Sequence, residues 1–249
     1  MATFEAQVNG LTGLGATLSS STTPTDTELD QFLKDGVIDV TSKHLAIRPQ
    51  DATLFGRETS ISDSQGVSVG GAKIISVMRE AGADGSSDGS EAWEPCREVP
   101  LSMQSRVVDT TSLNYASKYN PAYTLNSDKT INVYPVPSSN NGFKVFYVNE
   151  EPRDISNNAA LTHAHSNIKY FPNDKVYLVV TYAAIKSLEA KLSFYTIEEE
   201  DEELVRALQV SLQQLQVTYN SGFLPDKNYE AALQSQSQQR GQRAWQYKK

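Results

Sequence analysis

The sequence predicts an α+β chain: an antiparallel helical bundle interrupted by a β-rich antiparallel insertion and followed by an extended C-terminal tail. Three observations carry this reading. Thr130–Tyr134 and Phe143–Val148 read as paired strands, Val176–Leu192 is apolar at helical spacing for over four turns, and Thr196–Glu203 opens a further helix rich in acids. The expected organisation is an N-terminal helical segment, residues 1–48, packing with a helical hairpin, residues 171–222. A β-rich insertion, residues 49–170, separates them, and residues 223–249 form the tail.

In the first segment Phe4, Val8 and Leu11 fall at helical spacing, and a Gly/Ser/Thr linker runs from Gly13 to Thr23. After Pro24 and Thr25, the acids Asp26, Glu28 and Asp30 suit the positive end of a helix dipole. Leu29, Phe32, Leu33, Val37 and Val40 then mark one face of an amphipathic helix ending near Leu45. Gly36 inside it costs roughly 1 kcal/mol relative to Ala. A close helix–helix contact accounts for such a residue, and a neutral position does equally well.

In the insertion, Lys73–Arg79 reads as a strand. Arg97–Val108 is expected to pair with it across the Gly/Ser/Asp-rich loop Ala81–Pro95. Tyr123–Leu125 and Thr130–Tyr134 flank the turn Asn126-Ser127-Asp128-Lys129. Pro135 and Pro137 end the second of these strands because neither has a donor N–H. Asn141-Gly142 is expected to supply a positive-φ turn into Phe143–Val148, completing an antiparallel meander.

The hairpin starts at Phe171-Pro172-Asn173-Asp174. Val176, Val179, Val180, Ala183, Ala184, Leu188 and Leu192 form one face, and Tyr177, Leu178, Tyr182 and Ile185 add a second, so the helix has more than one packing partner. Thr196-Ile197-Glu198-Glu199 has the pattern of a capping box for the next helix, whose first turn holds the six consecutive acids Glu198–Glu203. Leu204, Leu208, Leu212, Leu215 and Tyr219 form its inner face and Gly222 its C-cap. The tail from Pro225 carries six Gln and a net charge of +3, too polar to build a core.

Composition excludes several classes. The 249 residues suffice for one large or two small domains, and the net charge of −8 argues against a general nucleic-acid binder. The single Cys96 leaves no intrachain disulfide and no thiolate metal cluster, which fits a reducing compartment. The sequence opens with no basic and apolar leader pattern, and its longest apolar run, within Val176–Ile185, is too short to span a bilayer. The expectation is a soluble chain made in the cytoplasm.

Patterns of chemistry are sparse. Gly66-Val67-Ser68-Val69-Gly70 matches the nucleophile-elbow pattern, with Asp109, Asp154 and His163 downstream in hydrolase order. An elbow needs an apolar strand before the Ser and a helix after it, and neither is expected here. His163-Ala164-His165 with Asp154 or Asp174 is short of a zinc set. The run Glu198–Glu203 lacks the spacing and glycine of a calcium loop, and there is no phosphate loop or dinucleotide fingerprint. The expectation is no catalytic residue, no metal and no cofactor.

The order of parts resembles the head-to-tail adaptor (gatekeeper or tubular connector) proteins of tailed bacteriophages. The residues that carry the resemblance are Glu28-Leu29-Asp30-Gln31-Phe32-Leu33-Lys34-Asp35-Gly36 and Val176-Tyr177-Leu178-Val179-Val180-Thr181-Tyr182-Ala183-Ala184. Glu199-Glu200-Asp201-Glu202-Glu203-Leu204 and Tyr219-Asn220-Ser221-Gly222 complete it. The resemblance implies a virion protein forming a homo-oligomeric ring, commonly of twelve copies. Such a ring sits between the portal protein and the tail or nozzle proteins, and DNA passes through it without sequence-specific binding. In such a ring the doubly apolar Val176–Leu192 helix offers Tyr177, Tyr182, Ile185 and Leu188 as the expected subunit interface. The polar tail offers Trp245, Tyr247, Arg240, Arg243 and Lys248 as the expected docking residues for the portal or a neighbouring ring. Glu198, Glu199, Glu200 and Asp201 are then an acidic rim or lumen. The alternatives are another neck, tail-tube or tail-completion protein and, at a distance, a serine hydrolase using Ser68.

Overall fold

A computed structural model describes residues 2–13, 19, 22–81, 92–198 and 202–223, and it mixes helix and sheet. Its α-helices are α1 (Phe4–Thr12), α2 (Asp26–Ile47), α3 (Gln104–Val108), α4 (Val176–Glu198) and α5 (Glu202–Ser221). Its strands are β1 (Gly56–Glu58), β2 (Val67–Ser68), β3 (Lys73–Glu80), β4 (Trp93–Pro95), β5 (Arg97–Glu98), β6 (Ala122–Leu125), β7 (Thr130–Tyr134) and β8 (Phe143–Val148). The chain divides into two compact units, one of residues 1–36 with 177–249 and one of residues 37–176.

The first unit is helical. Thr3 Oγ1 accepts the Ala6 N–H at 3.3 Å to start α1, and Gly13, at φ 66°, closes it. A capping box starts α2: the Glu28 N–H donates to Thr25 Oγ1 at 3.2 Å, and the Thr25 N–H donates to Glu28 Oε2 at 2.8 Å. Its Leu29 and Leu33 are fully buried. Along α4, Leu178, Val179, Val180, Ala183, Ala184, Ile185 and Leu188 are buried, so the helix is apolar on more than one side. The buried hydroxyls of Thr181 and Ser187 donate to the carbonyls of Tyr177 and Ala183 one turn back, each at 2.8 Å, so neither is left without an acceptor.

Gly36 is the point where α2 meets α4: a Cβ there would lie 3.1 Å from Tyr182 Cδ1 and 3.3 Å from the Val179 carbonyl oxygen. At Gly222 a Cβ would overlap Leu178 Cδ2. With Tyr219 and Tyr182 ring centroids 5.9 Å apart, the end of α5 meets the start of α4 and the two helices run in opposite directions.

One expectation fails here. The Thr196–Glu199 capping box does not form, because α4 continues through Thr196 to Glu198 and α5 begins at Glu202. A capping box needs a non-helical residue at its head, and Ser193-Phe194-Tyr195 contains nothing that breaks a helix.

The second unit holds two four-stranded sheets, ordered β1-β8-β3-β4 and β2-β7-β6-β5. Val77, Phe143 and Val145 of the first sheet and Tyr123, Ile131 and Val133 of the second share one core with Val69, so the sheets pack face to face. Cys96 bridges them: β4 on one side of it pairs with β3, and β5 on the other side pairs in parallel with β6. Between Ile74↔Tyr147 and Ser76↔Phe146 the register shifts, leaving Ile75 as the extra residue of a β-bulge.

The expected β6–β7 hairpin is present, turning at Lys129 with φ 64°. The rest of the meander is not. β8 pairs with β3 and β1 in the other sheet and not with β7. Pro135 and Pro137 remove two successive ladder donors, so the chain leaves the second sheet after Tyr134. Gly142 does not have a positive φ. It is required instead for close approach, since a Cβ there would overlap Ile61 Cγ2 and lie 3.3 Å from Glu80 Oε2. Its N–H donates to that buried carboxylate at 2.6 Å. Arg97–Val108 is not one strand either. Two residues pair with β6, and the chain then coils through a 3-10 turn, Leu101–Met103, into α3. The loop residues 82–91 lie outside the described residues.

Candidate functional site

Of the four residues expected at a subunit interface, Ile185 is 6% exposed and Leu188 fully buried. Both belong to the chain's own core. Tyr177 is 47% exposed and Tyr182 is half-buried, so these two rings hold the accessible part of the patch. They sit at the end of α4 that meets the end of α5, where Tyr182, Tyr219 and Phe223 stack in sequence at 5.9 and 5.1 Å.

Helix α5 is the least covered of the long helices. Leu204, Leu208, Leu212 and Leu215 of its inner face are only half-buried, and Tyr219 is its one buried residue among those described. On the far side Val210 and Val217 are 65% and 69% exposed. They are two helical turns apart, so they share one stripe. From Ala207 to Phe223 no residue is charged. A long helix face that is apolar in part and uncharged throughout is suited to contact with protein more than with water.

The acidic run straddles two helices. Glu202 and Glu203 are exposed in the first turn of α5, where the helix dipole favours them, and Glu202 pairs with Arg206 at 3.1 Å. Glu198 ends α4, at the pole that disfavours a negative charge. The side chain of Glu198 and all of Glu199, Glu200 and Asp201 lie outside the described residues. So do the tail residues Arg240, Arg243, Trp245, Tyr247 and Lys248.

Ser68 lies on a two-residue strand, and its Oγ accepts the Gly70 N–H at 3.3 Å. Gly70 and Gly71, at φ 66° and 78°, then turn the chain into β3 and not into a helix. The strand–turn–helix of a nucleophile elbow is therefore replaced by strand–turn–strand. His165 Nδ1 accepts the Thr162 N–H at 3.0 Å, and its Nε2 is 3.7 Å from Asp154 Oδ2. Asp154 in turn accepts the Asn158 N–H and side-chain amide at 2.8 and 3.1 Å, which hold its carboxyl below the usual carboxylate range. These bonds staple the loop after β8. Asp174 is engaged elsewhere, 3.6 Å from Lys175 Nζ. Among the described residues no group of His, Cys, Asp and Glu is arranged to hold a metal ion. Burial pushes the Cys96 thiol up to about 12, so it stays protonated at neutral pH.

Two features went unseen in the sequence. The excursion between β5 and β6 exposes Leu101, Val108, Leu113 and Tyr119 while Val99, Val107 and Ala116 pack beneath it. Only its first part, up to Val108, falls within the strand that the sequence predicts over Arg97–Val108. The other is Arg57, 7% exposed beside a cavity at the edge strand β1. Nothing in its local sequence marks that arginine as buried. Among the described residues no helix is long and apolar enough to cross a membrane. No protein-family model matches the chain, and no curated protein matches it.

Proposed function

We propose that this chain is a structural subunit of the connector between head and tail of a tailed bacteriophage, assembled as a ring through which the genome passes. The observation that carries the proposal is the packing of α4. It meets α2 at Gly36 and α5 at Gly222, with the β-containing residues inserted in sequence between α2 and α4. That is the order of the antiparallel helical bundle and insertion expected of the adaptor proteins. With α4 covered within the chain, the interface between copies falls to the uncharged stripe of α5 around Val210 and Val217 and to Tyr177. A closed ring uses two different patches on each copy, and the apolar excursion around Leu113 and Tyr119 is the second. A net charge of −8 suits a passage that must release DNA.

Electron micrographs of the purified protein, alone and mixed with its portal, test this. The reading expects rings of identical subunits, with twelve copies on a twelvefold portal. A hydrolytic monomer using Ser68 that forms no ring under either condition would remove it.

A further inference from the structure

The edge of the first sheet carries a cavity unrelated to any assembly surface named above. It has a volume of about 440 Å³ and is walled by Ile75, Phe146, Tyr170 and Gly56, with the Arg57 guanidinium at one side. Each wall has a local cause. The bulge in β3 puts Ile75 and Ser76 on the lining together. Gly56 keeps the floor low, since a Cβ there would crowd the Thr53 carbonyl oxygen at 3.0 Å and touch Ile75 Cδ1 at 3.4 Å. Tyr170 adopts φ 56°, a left-handed conformation rare outside glycine and asparagine, and its ring lies 5.2 Å from Arg57 Cζ.

Arg57 is nine-tenths buried and incompletely bonded. Its Nη2 donates to the Glu151 carbonyl oxygen, its Nη1 is 3.8 Å from the Glu151 carboxylate, and its Nε has no hydrogen-bond partner among the described residues. The Glu151 carboxylate is itself drawn to Arg153 at 2.6 Å. Two guanidinium groups therefore share one carboxylate. Lys169 Nζ lies 5.1 Å from the centroid of the Tyr170 ring, and Glu58 at the rim is paired with Lys144 at 3.3 Å. In a chain of net charge −8 this corner holds more positive than negative charge. A buried guanidinium short of acceptors beside an apolar cavity is stabilised by a planar anion that brings its own apolar body.

We propose that this cavity is a binding site for a carboxylate carried on an aromatic or aliphatic group. Arg57 holds the carboxylate, and Ile75, Phe146 and Tyr170 hold the body. The chemistry is shared by a free hydrophobic acid and by a peptide ending in a hydrophobic residue with a free C-terminus.

Calorimetric titration of the full chain separates these sources and tests the site. The probes are phenylacetate, its neutral amide phenylacetamide, and the peptide acetyl-Gly-Gly-Phe as free acid and as C-terminal amide. The expected result is saturable binding of at least one acid, at least about tenfold tighter than its amide. The tighter of the two acids identifies the source, and either one supports the site. Arg57→Met should abolish binding. Ser76→Leu, which fills the cavity and leaves Arg57 in place, should do the same with an unchanged far-ultraviolet spectrum and melting transition. The proposal is overturned if acid and amide bind equally, if folded Ser76→Leu binds as the native chain does, or if neither acid saturates by about 10 mM.

Discussion

Gly36 of α2 lies against Tyr182 of α4 so closely that a methyl group in place of its hydrogen would sit 3.1 Å from the ring. The glycine that weakens α2 by its own backbone freedom is what lets the two helices approach. Two opposed effects then decide substitutions there. Alanine gains roughly 1 kcal/mol of helix propensity and loses a similar amount to crowding against Val179 and Tyr182, so Gly36→Ala should change stability by less than about 1 kcal/mol. Gly36→Val adds bulk with nowhere to go and should destabilise by about 1–3 kcal/mol. Urea denaturation of both variants checks this, and a Gly36→Val protein as stable as the native one means that α2 and α4 are not in contact there.

Leu188 tests the helical core. It is fully buried on α4. Leu188→Ala should cost about 2–5 kcal/mol through the cavity it leaves. Leu188→Asp, which buries an unpaired charge, should abolish cooperative melting. A native-like melt for the Asp variant would show that this side of α4 faces solvent.

Gly142 tests the corner between β7 and β8. Its position against Ile61 and the Glu80 carboxylate leaves no room for a Cβ. Gly142→Ala should destabilise by about 1–3 kcal/mol, and hydrogen exchange should accelerate along β8 and β3. Unaltered exchange in those strands would refute the close approach.

The acid limb of stability follows from Asp154. Hydrogen bonds from Asn158, backbone first, depress its carboxyl below the ordinary value. A depressed folded pKa contributes stability that is present above the unfolded pKa, about 3.9, and is lost as pH falls through the folded one. Asp109 and Asp128 shift the same way through Thr111 and Thr130. The native protein should therefore lose more melting temperature than Asp154→Asn does between pH about 5 and 2. Parallel curves for the two proteins would contradict the assigned bonds.

Cys96 offers a chemical readout of the sheet-to-sheet corner. With its thiol pushed up to about 12 by burial, it should react slowly with an aromatic disulfide reagent at neutral pH and quickly once urea unfolds the chain. Equal rates in both states would mean that the corner is open.

The helices were readable because their signals are local. Apolar residues at helical spacing mark α2, α4 and the inner face of α5, whereas Gly36 is compatible in sequence with a close contact and with a neutral position alike, and only its approach to Tyr182 decides between them. What failed depended on competition at longer range. Thr196–Glu199 has capping-box chemistry, yet nothing before it interrupts the helix, while the box that forms, Thr25 with Glu28, was legible only as an acidic first turn. Phe143–Val148 was correct as a strand and wrong in its partner, because pairing is set by the core shared with Val77 and Val133 and not by proximity in sequence. The Arg57 cavity had no local signature, since its walls come from Thr53, residues 56–58, residues 75–76, Phe146 and Tyr170.

The central claim is best tested where the protein is expected to work, by electron microscopy of virions labelled with a gold-conjugated antibody against the folded chain. The account predicts label at the junction of head and tail, on a ring coaxial with the DNA channel, and loss of that ring when Val210→Asp and Val217→Asp are combined in a chain that still folds. Label confined to the capsid shell or the distal tail, or to no assembled particle at all, would contradict it.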